Sequence, residues 1–445
     1  MNDWLGLIIS CVLGFLCVNI LRARNRIDLP LLWITSIGIG ISLSGHVVFY
    51  TLFTVGKYSH AFIWTVHAIL FLVLCAANWN AFQKSKEPIL PPLPTDKNLW
   101  IGIAVISLLL LPLWREANFY PFGGWDAWAC WNLKSKFILL GGEHWKNMFD
   151  PVMWRSNNQY PFLLSLINAW GWSFSKTPST TIPLISTILF TLLTAMLMFV
   201  SLYRLTKKIV SIIPPLVLFT VPFVNTLSIS QYSDIVLAFY LLGSFVFLVA
   251  AREEKNIGFA VLAGCFCGIL SFTKTEGTLA SVLVAGLSVP YLWNHKDARS
   301  LLWPFGGALA ACSLPTLLFQ MFWAPGNESF VNGLTSVDTP ATFLRLKIIL
   351  MFLFAELVSI KWNELWIILV CGLLLSKTRG FKNALWIVPA FLTLYLGAAL
   401  AYYFINTHFE IIWWLQTTLN RVLYSILPII VWWVFHSLWS PAAKK

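Results

Sequence analysis

FYPFGGWDAWACWNLKSKFILLGGEHWKNMFDPVMWRSNNQYP, residues 119–161, stands apart from the rest of the chain. It is crowded with Trp, Gly, Asn and charge, and it sets Asp126 between two tryptophans. Nearly everything on either side is apolar and long enough to form membrane helix. A polar, aromatic loop held by a rigid helical scaffold is where chemistry is expected.

The composition supports that reading. The chain has 445 residues, 58% hydrophobic and 11% charged. A soluble domain carries about 25% charged residues, so this chain belongs in a bilayer. No long polar block is present that one anchor would carry. The net charge of +12 comes from single basic residues and small clusters between apolar runs. That pattern fits positive-inside loops and argues against nucleic-acid binding. Of eight Cys, seven lie in apolar runs, where Cys acts as a small hydrophobe. Cys130 alone is in the long loop, so no disulfide framework is expected. Residues 1–26 lack a basic leader and a small-residue cleavage site, and read as a retained span.

A span needs about 20 apolar residues, and about thirteen runs approach that length. They are 4–21, 30–54, 61–82, 98–114, 180–203, 209–229, 234–251, 257–273, 278–293, 300–322, 364–376, 383–405 and 421–439. Basic residues set the orientation. Arg22, Arg24, Arg26, Lys84, Lys86, Arg204, Lys207, Lys208, Arg252, Lys255, His295 to Arg299, Lys377 to Lys382, Lys444 and Lys445 all fall inside on one condition. The run 343–360 must lie on the membrane as an interfacial helix rather than cross it. The outer face then holds the 115–179 loop, the turns at 228–234 and 273–277, the region 323–363 and the loop 406–420. A bacterial inner membrane with these segments in the periplasm is the natural setting. The Pro-rich stretch from Glu87 to Asp96 separates a three-helix preface, 1–97, from a body, 98–445.

Four outer stretches carry ionisable groups, which are costly at membrane depth. In Trp125-Asp126-Ala127-Trp128, continuing to Lys136, the tryptophans at i,i+3 suit an interfacial belt, and Asp126 suits a helix start. The same residues suit a general base screened by aromatic rings, with Lys134 on a lipid phosphate. In Gln231-Tyr232-Ser233-Asp234, Ser or Asp is a fair N-cap, or Asp234 is a second carboxylate facing Asp126. Lys274 and Glu276 form a local ion pair, or Lys274 neutralises a phosphate leaving group. Arg421 opens the last span, as a snorkelling anchor or a phosphate clamp. His144, Arg155 and Tyr160 share the first outer loop. His46, His67 and His436 read as packed or interfacial. No HExxH, CxxC, Walker or GxSxG motif is present, and an activated donor is expected to arrive attached to lipid.

GGWDAWACWNLKSK with Gln159-Tyr160-Pro161, YSDIVLAFYLL (232–242), FTKTEG (272–277) and TTLNRVLYSILP (417–428) together resemble the polytopic C-type glycosyltransferases (GT-C). The resemblance is to bacterial relatives of protein mannosyltransferases and lipid A aminoarabinose transferases. It covers about 99–439, with the first three spans as an addition. It implies an all-α polytopic membrane fold with juxtamembrane helices in the first large outer loop. It also implies inverting transfer from a polyprenyl-phosphate sugar to a glycan, glycolipid or protein acceptor. Carried over by position, Asp126 is the catalytic carboxylate and Asp234 the second acidic site. Trp125, Trp128, Lys134, Tyr160, Lys274, Glu276 and Arg421 are the substrate-binding candidates. Some relatives use a divalent metal, and these residues do not decide it. Two alternatives stand beside this reading: a flippase or transporter of lipid-linked glycans, and an O-antigen polymerase or ligase leaning on Arg155 and His144.

Overall fold

Long apolar runs with few charges fold as helices because lipid offers no partner for backbone polar groups. The computed structural model describes residues 3–23, 25, 27–85, 88–326, 339–376, 385–406 and 409–440, and among them there is helix and no strand. The basic residues Arg24, Arg26, Lys86, Lys377 to Lys382, Lys444 and Lys445 lie outside this set.

Nine helices are long and apolar enough to cross a membrane among the described residues. They include α1 (Asp3–Arg22), α2 (Leu29–Val55), α3 (His60–Ser85) and a pair, α4 (Lys97–Leu108) with α5 (Leu110–Ala117). The run 209–229 differs from one straight span. It breaks into α9 (Ile213–Phe219) and α10 (Pro222–Ile229), bent by 77°. Pro222 cannot donate to the preceding turn and stops α9. The runs at 257–273 and 364–376 give short helices, α12 (Ile257–Ser271) and α16 (Leu365–Leu375). At 1.5 Å per residue these are shorter than a hydrocarbon core of about 30 Å. Set beside the expected thirteen runs, the described residues hold nine helices of spanning length and composition, or ten with the bent pair as one; the run 278–293, in Thr275–Trp293, is not among them.

The 115–179 segment, expected to carry helices, is largely helical. It contains α6 (Asn132–Leu140) and α7 (Leu163–Trp172), and every residue of α7 is buried. α7 packs on α1, α2, α6 and α8 (Thr181–Thr206). The preface thus meets the body. Gly14 and Gly40 bring α1 and α2 together so closely that a Cβ on Gly14 would sit 1.9 Å from the Ser36 carbonyl oxygen. Small residues allow this approach where lipid supplies no drive toward burial.

α11 (Ser233–Glu254) lies at the centre, almost wholly buried, against α8, α12, α13 (Thr275–Trp293) and α18 (Ile411–Trp439). Tyr240 ties it to α2, donating to the Gly38 carbonyl at 2.8 Å and bonding Ser42. The linker is tied down too. Arg22 donates to the carbonyls of Pro88 and Ile89, and Asp96 caps α4 through the Asn98 N–H. α14 (Leu302–Phe322) packs on α12. Thr339–Leu357, α15, is joined to the end of α17 (Ile387–Ile405) by Arg345, which donates to the Tyr403 and Asn406 carbonyls.

Candidate functional site

α11 and α13 begin, and α12 ends, at one place. Ser233 Oγ donates to the Thr273 carbonyl at 2.8 Å, and the Leu163 N–H donates to the Phe272 carbonyl at 3.1 Å. These bonds tie the turn at 272–277 to the start of α11 and to α7. Gly277 lets the first turn of α13 approach α12, since a Cβ there would lie 2.4 Å from the Leu270 carbonyl oxygen.

The stretch that holds Asp126 is brought to the same place by its two glycines. The Gly124 N–H donates to the Ser230 carbonyl at 3.0 Å. Gly123 has φ +68°, and a Cβ on it would meet the Ser230 oxygen at 2.6 Å. Both facts exclude a larger residue. On the facing turn Gln231 is held at φ 60°, a strained conformation for a residue with a side chain. Its side chain compensates by donating to the Pro121 carbonyl and accepting from Asn132 Nδ2, each at 3.0 Å. Asn168 of α7 donates in turn to Asn132 Oδ1. Gly123→Ala is therefore expected to destabilise the protein by about 1–3 kcal/mol through strain and overpacking. A thermal melt in detergent checks this; an unchanged melt contradicts the close docking.

Five charged side chains meet at this junction. Arg421 Nη1 lies 2.7 Å from Asp126 Oδ2, and Nη2 lies 3.0 Å from Asp234 Oδ2. Lys274 Nζ lies 3.1 Å from Asp234 Oδ1 and 2.9 Å from Glu276 Oε1. Asp234 is buried with both oxygens met by cationic donors, which offsets the loss of water. Beneath Arg421 lies the Tyr232 ring, 4.6 Å from Cζ. The Tyr232 hydroxyl accepts from the Asp126 N–H at 3.4 Å. Lys274 sits 5.7 Å from the centre of the Tyr160 ring. Burial first, then the charge of Glu276, holds the Tyr160 phenol well above its ordinary pKa, so it stays protonated.

The local alternatives fare differently. Asp126 makes no capping bond, and neither Ser233 nor Asp234 caps α11; the N-cap is Tyr232. The Lys274–Glu276 ion pair is present, but Lys274 also reaches Asp234. Arg421 does not open the last helix as its sequence position suggested. α18 starts at Ile411, where Glu410 caps the N–H groups of Ile412 and Trp413 and is held below its usual carboxylate range by those bonds. Thr417 and Thr418 bond back to the preceding turn, so the helix runs on through this polar stretch. Arg421 thus points inward from within α18.

Trp125 and Trp128 pack edge to face at 4.4 Å and are about half exposed. Trp131 leaves their stripe and is buried, because residues 127–131 form a π-helical turn that changes the phase. Lys134, expected to meet a lipid phosphate, is instead fully buried and donates to the Asn157 carbonyl at 2.7 Å. Its burial also lowers the pKa of the ammonium. Cys130 is buried beside it, its thiol pushed up to about 11. His144 and Arg155 are exposed, Arg155 over the Trp154 ring. His67 stacks on Trp170 at 4.2 Å, and His46 and His436 are buried.

Gln231, Tyr232 and Asn132 lie in stretches the sequence marked but had no role assigned to them, and Asn168 was not singled out. Polar residues in apolar surroundings, such as Asn168 in LLSLINAWGW, were the available signal. The Arg421 guanidinium bridges the carboxylates of Asp126 and Asp234. Among the described residues no three His, Cys, Asp or Glu side chains come together as a metal site.

The junction joins a deeply buried ion pair to a more open edge. Side-chain exposure rises from 1% at Asp234 and 6% at Lys274 to 12% at Arg421, 17% at Asp126 and 27% at Glu276. Asp126, Glu276 and Arg421 thus form the more exposed edge of the cluster. No family model, curated protein or solved structure matches the chain.

Proposed function

We propose that this protein is a membrane glycosyltransferase of GT-C type, moving a sugar from a polyprenyl phosphate to an envelope glycan, glycolipid or protein. The observation that carries the reading is the meeting of Asp126, Asp234, Lys274, Glu276 and Arg421 from four distant segments, with Arg421 reaching in from within α18. Paired carboxylates beside fixed cations suit a reaction that takes a proton from a nucleophile and leaves charge on a phosphate. The proposed setting is a bacterial inner membrane with this junction at the periplasmic face and α15 lying along the surface.

In the proposed reaction Asp126 takes the proton of an acceptor hydroxyl. The hydroxyl oxygen bonds to the anomeric carbon from the face opposite the phosphate. The carbon–oxygen bond to the phosphate breaks, and its electron pair leaves on the lipid phosphate. Arg421 is the cation placed to meet that charge. Asp234 holds Arg421 and Lys274 in position, and Trp125 with Trp128 screens the open edge.

One observation favours a second reading. Three carboxylates face two cations, and such excess charge beside membrane helices also suits a cation-coupled flippase. A transfer assay in nanodiscs separates the two. It supplies radiolabelled polyprenyl-phosphate sugars and extracted envelope acceptors. Label passing to an acceptor supports the transferase. Intact lipid crossing the bilayer without transfer overturns it in favour of the flippase.

A further inference from the structure

Arg421 divides its guanidinium unequally. Nε and Nη2 both turn to Asp234 Oδ2, at 3.3 and 3.0 Å, and Asp234 is buried and also held by Lys274. Nη1 alone turns outward, to Asp126 Oδ2 at 2.7 Å. Asp126 is the more exposed of the two carboxylates and is carried on a separate segment. Lys274 has no comparable free direction, being 6% exposed and wedged between Asp234 and Glu276.

A guanidinium edge with its inner side fixed and its outer N–H on a semi-exposed carboxylate is an anion seat already filled by the protein. We propose that the Asp126 carboxylate occupies the seat of a lipid-linked phosphate on Arg421, and that the phosphate binds by displacing it. This rests on the proposed glycosyltransferase reading and narrows it. Of the two cations considered, Arg421 is the one that takes the phosphate, while Lys274 keeps Asp234 in place. The exchange gives donor binding a second consequence. Released from Nη1, the Asp126 carboxylate becomes free to accept a proton, so the base is exposed when the donor is in place. Tyr232 keeps Asp126 near during the exchange, through its hydroxyl on the Asp126 backbone N–H rather than on the carboxylate.

The test is equilibrium binding of a polyprenyl monophosphate to full-length protein in neutral-lipid nanodiscs. Wild type is compared with Asp126→Asn, Asp126→Ala and Glu276→Gln, with inorganic phosphate as competitor. Emptying the seat is expected to tighten lipid-phosphate binding about tenfold or more in both Asp126 variants, about 1.4 kcal/mol. Glu276→Gln removes the same charge from the cluster but leaves the seat filled, and is expected to change affinity less than threefold. Equal tightening by Glu276→Gln would reduce the effect to net charge and overturn the exchange. Unchanged or weaker binding by the Asp126 variants overturns it as well. Inorganic phosphate binding as tightly as the lipid overturns the lipid-linked assignment. No lipid-phosphate binding by any form, wild type included, removes the transferase reading beneath the inference.

Discussion

Asp126→Asn is expected, on the proposed transferase reading, to lower turnover in the transfer assay by about 10²- to 10⁴-fold, the range over which a positioned general base contributes. The loss falls on the rate of transfer and not on assembly. Asn has nearly the same shape as Asp, and the Asp126 N–H still reaches Tyr232. Arg421 keeps its bonds to buried Asp234 in the variant, so no isolated buried cation is created. The melting temperature is accordingly expected to stay within a few degrees of wild type. Measured together, the two readouts separate a base from a structural carboxylate. A variant that melts normally and transfers at the wild-type rate removes Asp126 from the chemistry.

Arg421→Met gives the largest expected stability loss, about 3–5 kcal/mol, because Asp234 keeps only Lys274 while staying buried. Asp126 loses its partner as well, with less cost because it reaches water. Fluorescence-detected melting in detergent measures the loss. The informative comparison is the double variant Arg421→Met with Asp234→Leu. Removing both charges together avoids the stranded carboxylate, so the double variant is expected to lose less than the two single variants summed. Additive losses would show that Arg421 and Asp234 do not act as a pair.

The apolar runs made the helical membrane fold legible, since length and hydropathy alone specify a spanning helix. What they did not convey was interruption and burial. Pro222 folds one run into two arms, and α7, in a segment expected to carry juxtamembrane helices, is buried along its whole length. Its ten residues are too few to register as a span. The site was legible as types of residue on one expected face, because charge at a span end stands out against apolar neighbours. Their mutual contacts were not legible, since they depend on how distant helices pack. Lys134 shows the limit in the other direction. Its sequence neighbours mark it as an exposed cation, but the π turn at 127–131 redirects the following helix and buries it. Arg421 shows another limit. The polar run before it looks like a loop until the capping by Glu410 sets the helix start.

The position of Arg421 has a consequence for biosynthesis. The ribosome makes Asp126, Asp234, Lys274 and Glu276 well before it reaches the last helix. At about 5–20 residues per second the interval from Asp234 to Arg421 is on the order of ten seconds or more. Once Glu276 is made and until Arg421 follows, the nascent chain carries all three carboxylates of the cluster and only one of its two cations. α18 thus brings the last charged group of the cluster to be made. A chain that stops before it lacks the cation that joins Asp126 to Asp234 and leaves Lys274 to face the carboxylates alone.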